Sequence, residues 1–217
     1  MKSNAGIYFL IDRSTSTKHI IDNIRNALAK FIDLCHASPK ADNLKMYVSI
    51  LLFNHTQEYI CKSEPLDTFD INKINWEASG CTDIGAAITK GINDSLVEYK
   101  KWDLSGEERV HPCIILLTDG YPDAGVDSTP EEQNEYEDRF SLAATEIKAD
   151  EDVKFTFGAA GICGGGYGAD MEKLGQLTNI PERVIALDGN FPKEAIEGSF
   201  FDFIVRTVTE NTLNQMY

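Results

Sequence analysis

Two short stretches of this chain, Gly6–Ile11 and Cys113–Leu117, are apolar at every position; the first runs directly into Asp12, and the second reaches Asp119 after the single residue Thr118. A strand with one wet face alternates polar and apolar residues. A strand with no polar position must be covered on both faces, which places it inside a parallel sheet flanked by helices. Neither run approaches the roughly 20 apolar residues that a membrane-spanning helix needs.

The rest of the chain supplies the other elements such a sheet requires. Strand signals fall at Gly6–Ile11, Met46–Phe53, Gln57–Lys62, Val110–Leu117, Val153–Gly158 and Val184–Leu187. Helical spacing of apolar residues marks Thr17–His36, through Ile20, Ile24, Leu28 and Phe31, and Asp83–Trp102, through Ile84, Ile88, Ile92 and Leu96. Three further helices are predicted at Pro130–Ala149, Met171–Leu177 and Pro192–Val208, with Pro130 in a first turn and Asp170 as an N-cap. Only Asn54-His55-Thr56 separates the second and third strands, so these form an antiparallel hairpin at a sheet edge. Strands alternating with helices imply right-handed crossovers. The expected fold class is therefore α/β: a doubly wound, mostly parallel six-stranded sheet with one antiparallel edge strand and helices on both faces. No repeat or linker interrupts the pattern, which predicts one domain over residues 1–217.

Composition narrows the functions open to such a domain. A hydrophobic fraction of 42% supports a packed core, and a formal net charge of −15 would be repelled by a phosphate backbone, so no nucleic-acid partner is expected. The acidic run Glu131, Glu132, Glu135, Glu137, Asp138 falls in the first half of a predicted helix, where it complements the helix dipole. Five cysteines, an odd number with no CxxC pair, argue against a disulfide framework or a zinc site. The N-terminal residues do not form a signal peptide, so a cytoplasmic protein without membrane attachment is expected. No heptad or long exposed apolar stripe is present, which leads to the expectation of a monomer when alone.

In open α/β sheets, ligands bind beyond the carboxyl ends of strands where strand order reverses. Asp12 follows the first apolar strand directly, and Asp119 ends the other in Leu117-Thr118-Asp119-Gly120. Asp12 opens Asp12-Arg13-Ser14-Thr15-Ser16, and Thr82 lies in Ser79-Gly80-Cys81-Thr82-Asp83, just before a helix. Asp12, Ser14, Ser16, Thr82 and Asp119 offer only oxygen donors, the ligands that hard divalent cations take. Mg²⁺ is the first expectation, with Mn²⁺ or Ca²⁺ as alternatives. Gly120 allows the backbone to turn sharply after Asp119.

These residues, in this order, resemble the metal-ion-dependent adhesion site of von Willebrand factor A-type domains, and the alternation covers nearly the whole chain. The segment Leu117-Thr118-Asp119-Gly120-Tyr121-Pro122 further resembles the bacterial cytosolic branch of that family, which includes proteins of tellurite-resistance and kinase/phosphatase operons. The resemblance implies that Ser14 and Ser16 ligate the cation directly. Thr82 would do so in one conformation, and Asp12 and Asp119 directly or through water. It also implies a protein partner whose Asp or Glu fills the remaining position, hence a binding module rather than an enzyme.

Blander roles compete for each residue. Asp12-x-Ser14-x-Ser16 could form an Asx-turn and helix cap, and Thr82 could cap the helix beginning near Asp83. Arg13 is expected to point away and pair with a nearby acid. The loop Gly161–Gly168 matches no phosphate-binding spacing. The histidines His19, His36, His55 and His111 are scattered, and Tyr121, Asp123 and Asp127 line the loop after Asp119. The alternative function is a metal-dependent hydrolase or phosphatase, since haloacid-dehalogenase-type phosphatases also place an Asp after a first strand. Those enzymes use Asp-x-Asp, and Ser14 stands where their general acid would be.

Overall fold

The structure is a computed structural model that describes residues 3–37, 44–70, 77–151, 153–163, 168–188 and 193–215. Its strands are β1 (Ser3–Asp12), β2 (Leu44–Phe53), β3 (Gln57–Pro65), β4 (Cys113–Thr118), β5 (Thr156–Cys163) and β6 (Val184–Asp188), and its helices are α1 (Ile21–Ala37), α2 (Ile84–Leu104), α3 (Pro130–Asp150), α4 (Met171–Gly175) and α5 (Lys193–Gln215). The strands form one six-stranded sheet in the order β3-β2-β1-β4-β5-β6. Every neighbouring pair is parallel except β2 and β3. The expected fold class is thus the observed one.

The continuous apolar runs do what their composition requires. Along β1, Ile7, Phe9 and Ile11 enter one core with Ile24, Leu28 and Phe31 of α1 and Phe200, Phe203 and Ile204 of α5. Tyr8 and Leu10 enter the opposite core with Ile84, Ile88 and Ile92 of α2, Phe140 and Ala143 of α3, and Leu174 of α4. The same division runs along β4, whose residues are all buried.

Several element boundaries differ from the sequence reading, and three have a clear local reason. The first helix is preceded by a 3-10 turn over Thr15–Ile20, so α-helical geometry starts only at Ile21. The fourth strand begins at Cys113 rather than Val110, because Pro112 has no N–H to give the ladder, although its carbonyl accepts from Thr156 at 2.9 Å. The fifth strand is Thr156–Cys163 rather than Val153–Gly158; Val153 is exposed in the turn after α3. Gly161 is expected to open a glycine loop, yet it lies within the strand and is small because α4 presses on the sheet there. A Cβ on Gly161 would lie 2.5 Å from Met171 Sδ. Residues 164–167 of the expected glycine loop, and Pro192 at the expected start of the last helix, lie outside the described residues.

Helix starts are well supported. Thr129 and Glu132 form a reciprocal capping box with Pro130 at the first position of α3, and Glu131 and Glu132 lie in its first turn, as the dipole argument anticipated. Asp170 caps α4 by accepting from the Lys173 N–H.

The helices α2 and α3 cross closely at Gly85. A Cβ there would lie 2.4 Å from the backbone carbon of Arg139, which cannot yield as a side chain would. Gly85→Ala is expected to destabilise the protein by about 1–3 kcal/mol through overpacking, measured as a lower midpoint of urea unfolding at unchanged slope.

Candidate metal centre

β1 lies between β2 and β4, so the chain leaves the sheet in opposite directions on either side of it, and a crevice opens at the carboxyl ends of β1 and β4. Their register pairs Ile11 with Leu117, which sets Asp12 level with Thr118 and brings Asp119 to the same edge. Asp12 is completely buried. Its Oδ2 accepts from the Thr118 hydroxyl at 2.7 Å, and its Oδ1 accepts from the Ser14 N–H at 2.7 Å. The second bond is an Asx-turn that folds Ser14 back toward the crevice. The buried Thr17 hydroxyl fixes the same turn, lying 3.0 Å from the Asp12 carbonyl oxygen and 2.9 Å from that of Ser14.

The hydroxyls are not spent on capping. Ser14 precedes the 3-10 turn in an extended conformation, and its side chain makes no capping bond. Its Oγ lies 3.0 Å from Ser16 Oγ, so the two hydroxyls sit side by side. At the start of α2, Asp83 is the cap, accepting from the Ala86 N–H at 3.0 Å. Thr82, buried beside it, keeps its side chain free of that role.

The Thr82 segment is stitched into place from several sides. Ser79 N donates to the Arg13 carbonyl at 2.7 Å, and the Asn54 side chain donates to the Ser79 carbonyl at 2.9 Å. Asp83 N donates to the Asn54 carbonyl at 2.9 Å. Thr82 and Asp123 exchange backbone hydrogen bonds of 2.9 and 3.0 Å, which joins the Thr82 segment directly to the loop after β4. Arg139 of α3 pairs with the Asp83 carboxylate at 2.8 Å while stacking over the Tyr136 ring.

Asp119 begins that loop after β4. Its Oδ1 accepts from the Tyr121 N–H at 3.1 Å, and Gly120 turns the chain with φ +84°, a left-handed conformation open to glycine. The Asp119 carbonyl accepts from the Asp170 N–H at 2.8 Å. Asp12, Ser14, Ser16, Thr82 and Asp119 therefore all stand on three segments bound to one another at one edge of the sheet.

Burial, followed by the charge of Asp119, pushes the Asp12 carboxyl up to about 7, against hydrogen bonds from Thr118 and Ser14 that act the other way. Among the described residues the one buried acid far from this edge, Glu151, has a guanidinium: Arg183 lies 3.2 Å away, and Thr178 donates to the same carboxylate at 2.6 Å. Among the described residues no lysine, arginine or histidine forms an ion pair with Asp12 or Asp119. A buried carboxylate with a second carboxylate beside it and no protein cation is the electrostatic setting that a divalent cation relieves. Two carboxylates and three hydroxyls suit a hard divalent cation that takes oxygen ligands. Among the described residues no group of three or more His, Cys, Asp or Glu offers a competing site.

The other residues weighed from the sequence fall outside the crevice or on its rim. Arg13 pairs with Glu58 at 3.1 Å and donates to Thr56 at 3.1 Å, the expected ion pair with a nearby acid. His55 is exposed, His111 packs edge-on against Tyr99 before β4, and the side chains of His19 and His36 lie outside the described residues. The sequence reading passed over Thr118, Thr17, Asn54 and Gln133. Thr118 had a visible signal, being the last strand residue before Asp119. The others are ordinary polar residues until the fold brings their partners near.

The family model of the von Willebrand factor type A domain matches residues 6–195, and the chain belongs to that family. No protein of curated function matches the sequence significantly. Among solved structures, the pilus adhesin SpaC from Lactobacillus rhamnosus GG superposes with a TM-score of 0.67 at 13% identity, covering 97% of this chain and 30% of that one. Proximal thread matrix protein 1 from the mussel byssus gives a TM-score of 0.62 at 18% identity, over 94% of this chain and 48% of that one. The manganese-loaded TRAP protein of Plasmodium vivax gives 0.56 at 17% identity, over 93% and 74%. The mussel protein has also been solved with zinc in its MIDAS motif. At these identities the likeness is one of fold, and the chain spans half or less of the mussel and Lactobacillus proteins.

The raised Asp12 carboxyl has a consequence for stability. Between its ordinary 3.8 and about 7, the metal-free folded state holds a proton that the unfolded chain has released. Stability therefore falls as pH rises through that window, and the loss is complete above about 7. Chelator-treated wild type should lose stability relative to Asp12→Asn as pH is raised from 4 to 7; equal pH slopes in urea titrations would contradict this account.

Proposed function

We propose that this domain holds a divalent cation, Mg²⁺ before Mn²⁺ or Ca²⁺, through Ser14, Ser16 and Thr82 with Asp12 and Asp119, and binds a protein partner through it. The observation that carries the reading is the buried Asp12 carboxylate, without an ion-pair partner among the described residues, beside the adjacent hydroxyls of Ser14 and Ser16. Asp12 holds the Ser14 turn by its backbone, so the serine hydroxyls are presented to the crevice. Asp119 brings the second negative charge, and Thr82 the third hydroxyl. A bound cation with few direct carboxylates stays electrophilic, so an incoming Asp or Glu from a partner gains a charge-assisted bond.

The same reading takes the chain as one binding domain, monomeric alone, rather than an enzyme. Ser14 leaves no second carboxylate two residues after Asp12 to act as general acid. A reducing, cytoplasmic setting is supported by the cysteines, which are all free thiols, three half-buried and two buried. No helix among the described residues is long and apolar enough to cross a membrane. The segment Leu117–Pro122 supports placement in the bacterial cytosolic branch associated with tellurite-resistance-type operons.

Titrating MgCl₂, MnCl₂ and CaCl₂ into chelator-treated protein tests the cation site. Wild type should gain about 2.7 kcal/mol of stability at a hundredfold excess over Kd, read as a rise in Tm. Asp12→Ala and Ser14→Ala should abolish the rise. A rise that persists in both variants would place the cation elsewhere.

A further inference from the structure

The loop that leads away from Asp119 after β4 carries two exposed large apolar side chains. Tyr121 is 47% exposed two residues beyond Asp119, and Val126 is wholly exposed at 101%. Single apolar residues on a surface are ordinary, and Val97, Leu104 and Leu142 are of that kind, spread over α2 and α3. Tyr121 and Val126 differ because their loop is held rigid. Gln133 of α3 grips it on both sides, donating to the Pro122 carbonyl at 2.8 Å and accepting from the Ala124 N–H at 3.0 Å. Asp123 is bonded to Thr82 through the backbone, and its carboxylate accepts from the Gly125 N–H at 2.8 Å. Ser128 closes the turn, its backbone N–H and its hydroxyl both donating to the Gly125 carbonyl, at 3.1 and 2.6 Å. Val126 thus projects from a turn whose ordering cost was met when the protein folded, which favours binding. It lies three residues past Asp123, hence no more than about 11 Å along the chain from the residue that pairs with Thr82.

The charge of the same loop is one-sided. Asp123 and Asp127 are exposed on either side of Val126, Glu131 and Glu132 follow at the head of α3, and no Lys, Arg or His occurs from Asp119 to Asp138. The first basic residue after it, Arg139, is engaged by Asp83. A partner carboxylate approaching the crevice must pass this negative rim, and does so more readily when its own neighbours are basic.

We infer that the loop Tyr121–Ser128 selects the partner: a protein segment in which one Asp or Glu is flanked by Lys or Arg and by a large aliphatic side chain. The aliphatic side chain packs on Tyr121 and Val126, and the basic residue faces Asp123 and Asp127. This rests on the cation-dependent reading above and specifies the partner that such a site takes.

Three synthetic decapeptides test it, each with one central Asp, flanked respectively by Lys and Leu, by Glu and Leu, and by Lys and Ser. Each is titrated by NMR into isotope-labelled protein in MgCl₂, with a chelator control. The Lys/Leu peptide should bind about tenfold more tightly than the Glu/Leu peptide at low salt, with the difference shrinking as salt is added. It should also shift the Val126 methyl signals, which the Lys/Ser peptide should leave nearly unmoved. Asp127→Lys should narrow the Lys-over-Glu preference, and Val126→Ser should erase the Leu-over-Ser preference, both in proteins whose backbone spectra stay native. Equal, chelator-sensitive binding of all three peptides would overturn the selection by this loop while leaving the carboxylate-to-cation reading intact. No binding, or binding indifferent to chelator, would overturn both.

Discussion

The parallel pairing of β1 with β4 is the constraint on which the rest of this molecule depends. It joins two strands distant in sequence, with Ile11 beside Leu117, and so delivers Asp12, Thr118 and Asp119 to one edge. Strands so apolar can lie side by side only if helices cover both faces, and the two cores meet this need, one under α1 and α5 and the other under α2, α3 and α4. A shift of one residue in the register would turn every side chain of β1 to the wrong core. The packing therefore fixes the position of Asp12 as firmly as any bond made by its own carboxylate.

That carboxylate sits where a protein rarely leaves one. It is fully buried, faces Asp119, and accepts hydrogen bonds from Thr118 and from Ser14. Elsewhere the chain solves the same problem with Arg183 against Glu151, a buried pair completed by Thr178 and the Asn179 N–H. The contrast gives the crevice its chemical character. Among the described residues neither Asp12 nor Asp119 has a basic partner, and the Ser14 and Ser16 hydroxyls lie beside them. Asp83 takes the capping role at α2, which separates the structural task from its neighbour Thr82.

The segments around the crevice are tied to one another. Thr82 and Asp123 share a two-bond bridge, Asn54 just after β2 bonds Ser79 and Asp83, and Gln133 holds Pro122 and Ala124 from α3. Loops held in this way can present side chains at fixed separations, which is what a binding surface needs. The chain's membership of the von Willebrand factor type A family agrees with such an arrangement, and the neighbours solved with zinc or manganese share its fold.

Much of this was legible in the sequence, because the deciding features are local. Uninterrupted apolar runs fix double-sided burial, helical spacing fixes the covering elements, and Asn54-His55-Thr56 is too short a link for anything but an antiparallel return. The candidate residues followed, since a strand end in such a sheet is a predictable place. Three things were settled only by tertiary structure. The fifth strand runs on through Gly161 because helix packing, not β-propensity, decides where small residues are required. Asp83 rather than Thr82 caps α2, a choice between adjacent residues that composition does not separate. The raised Asp12 carboxyl arises from burial and from a charge 107 positions away in sequence, at Asp119. Periodicity along a chain reports which faces are buried, but hydrogen-bond partners and fields depend on distances through space, and only the folded sheet sets those.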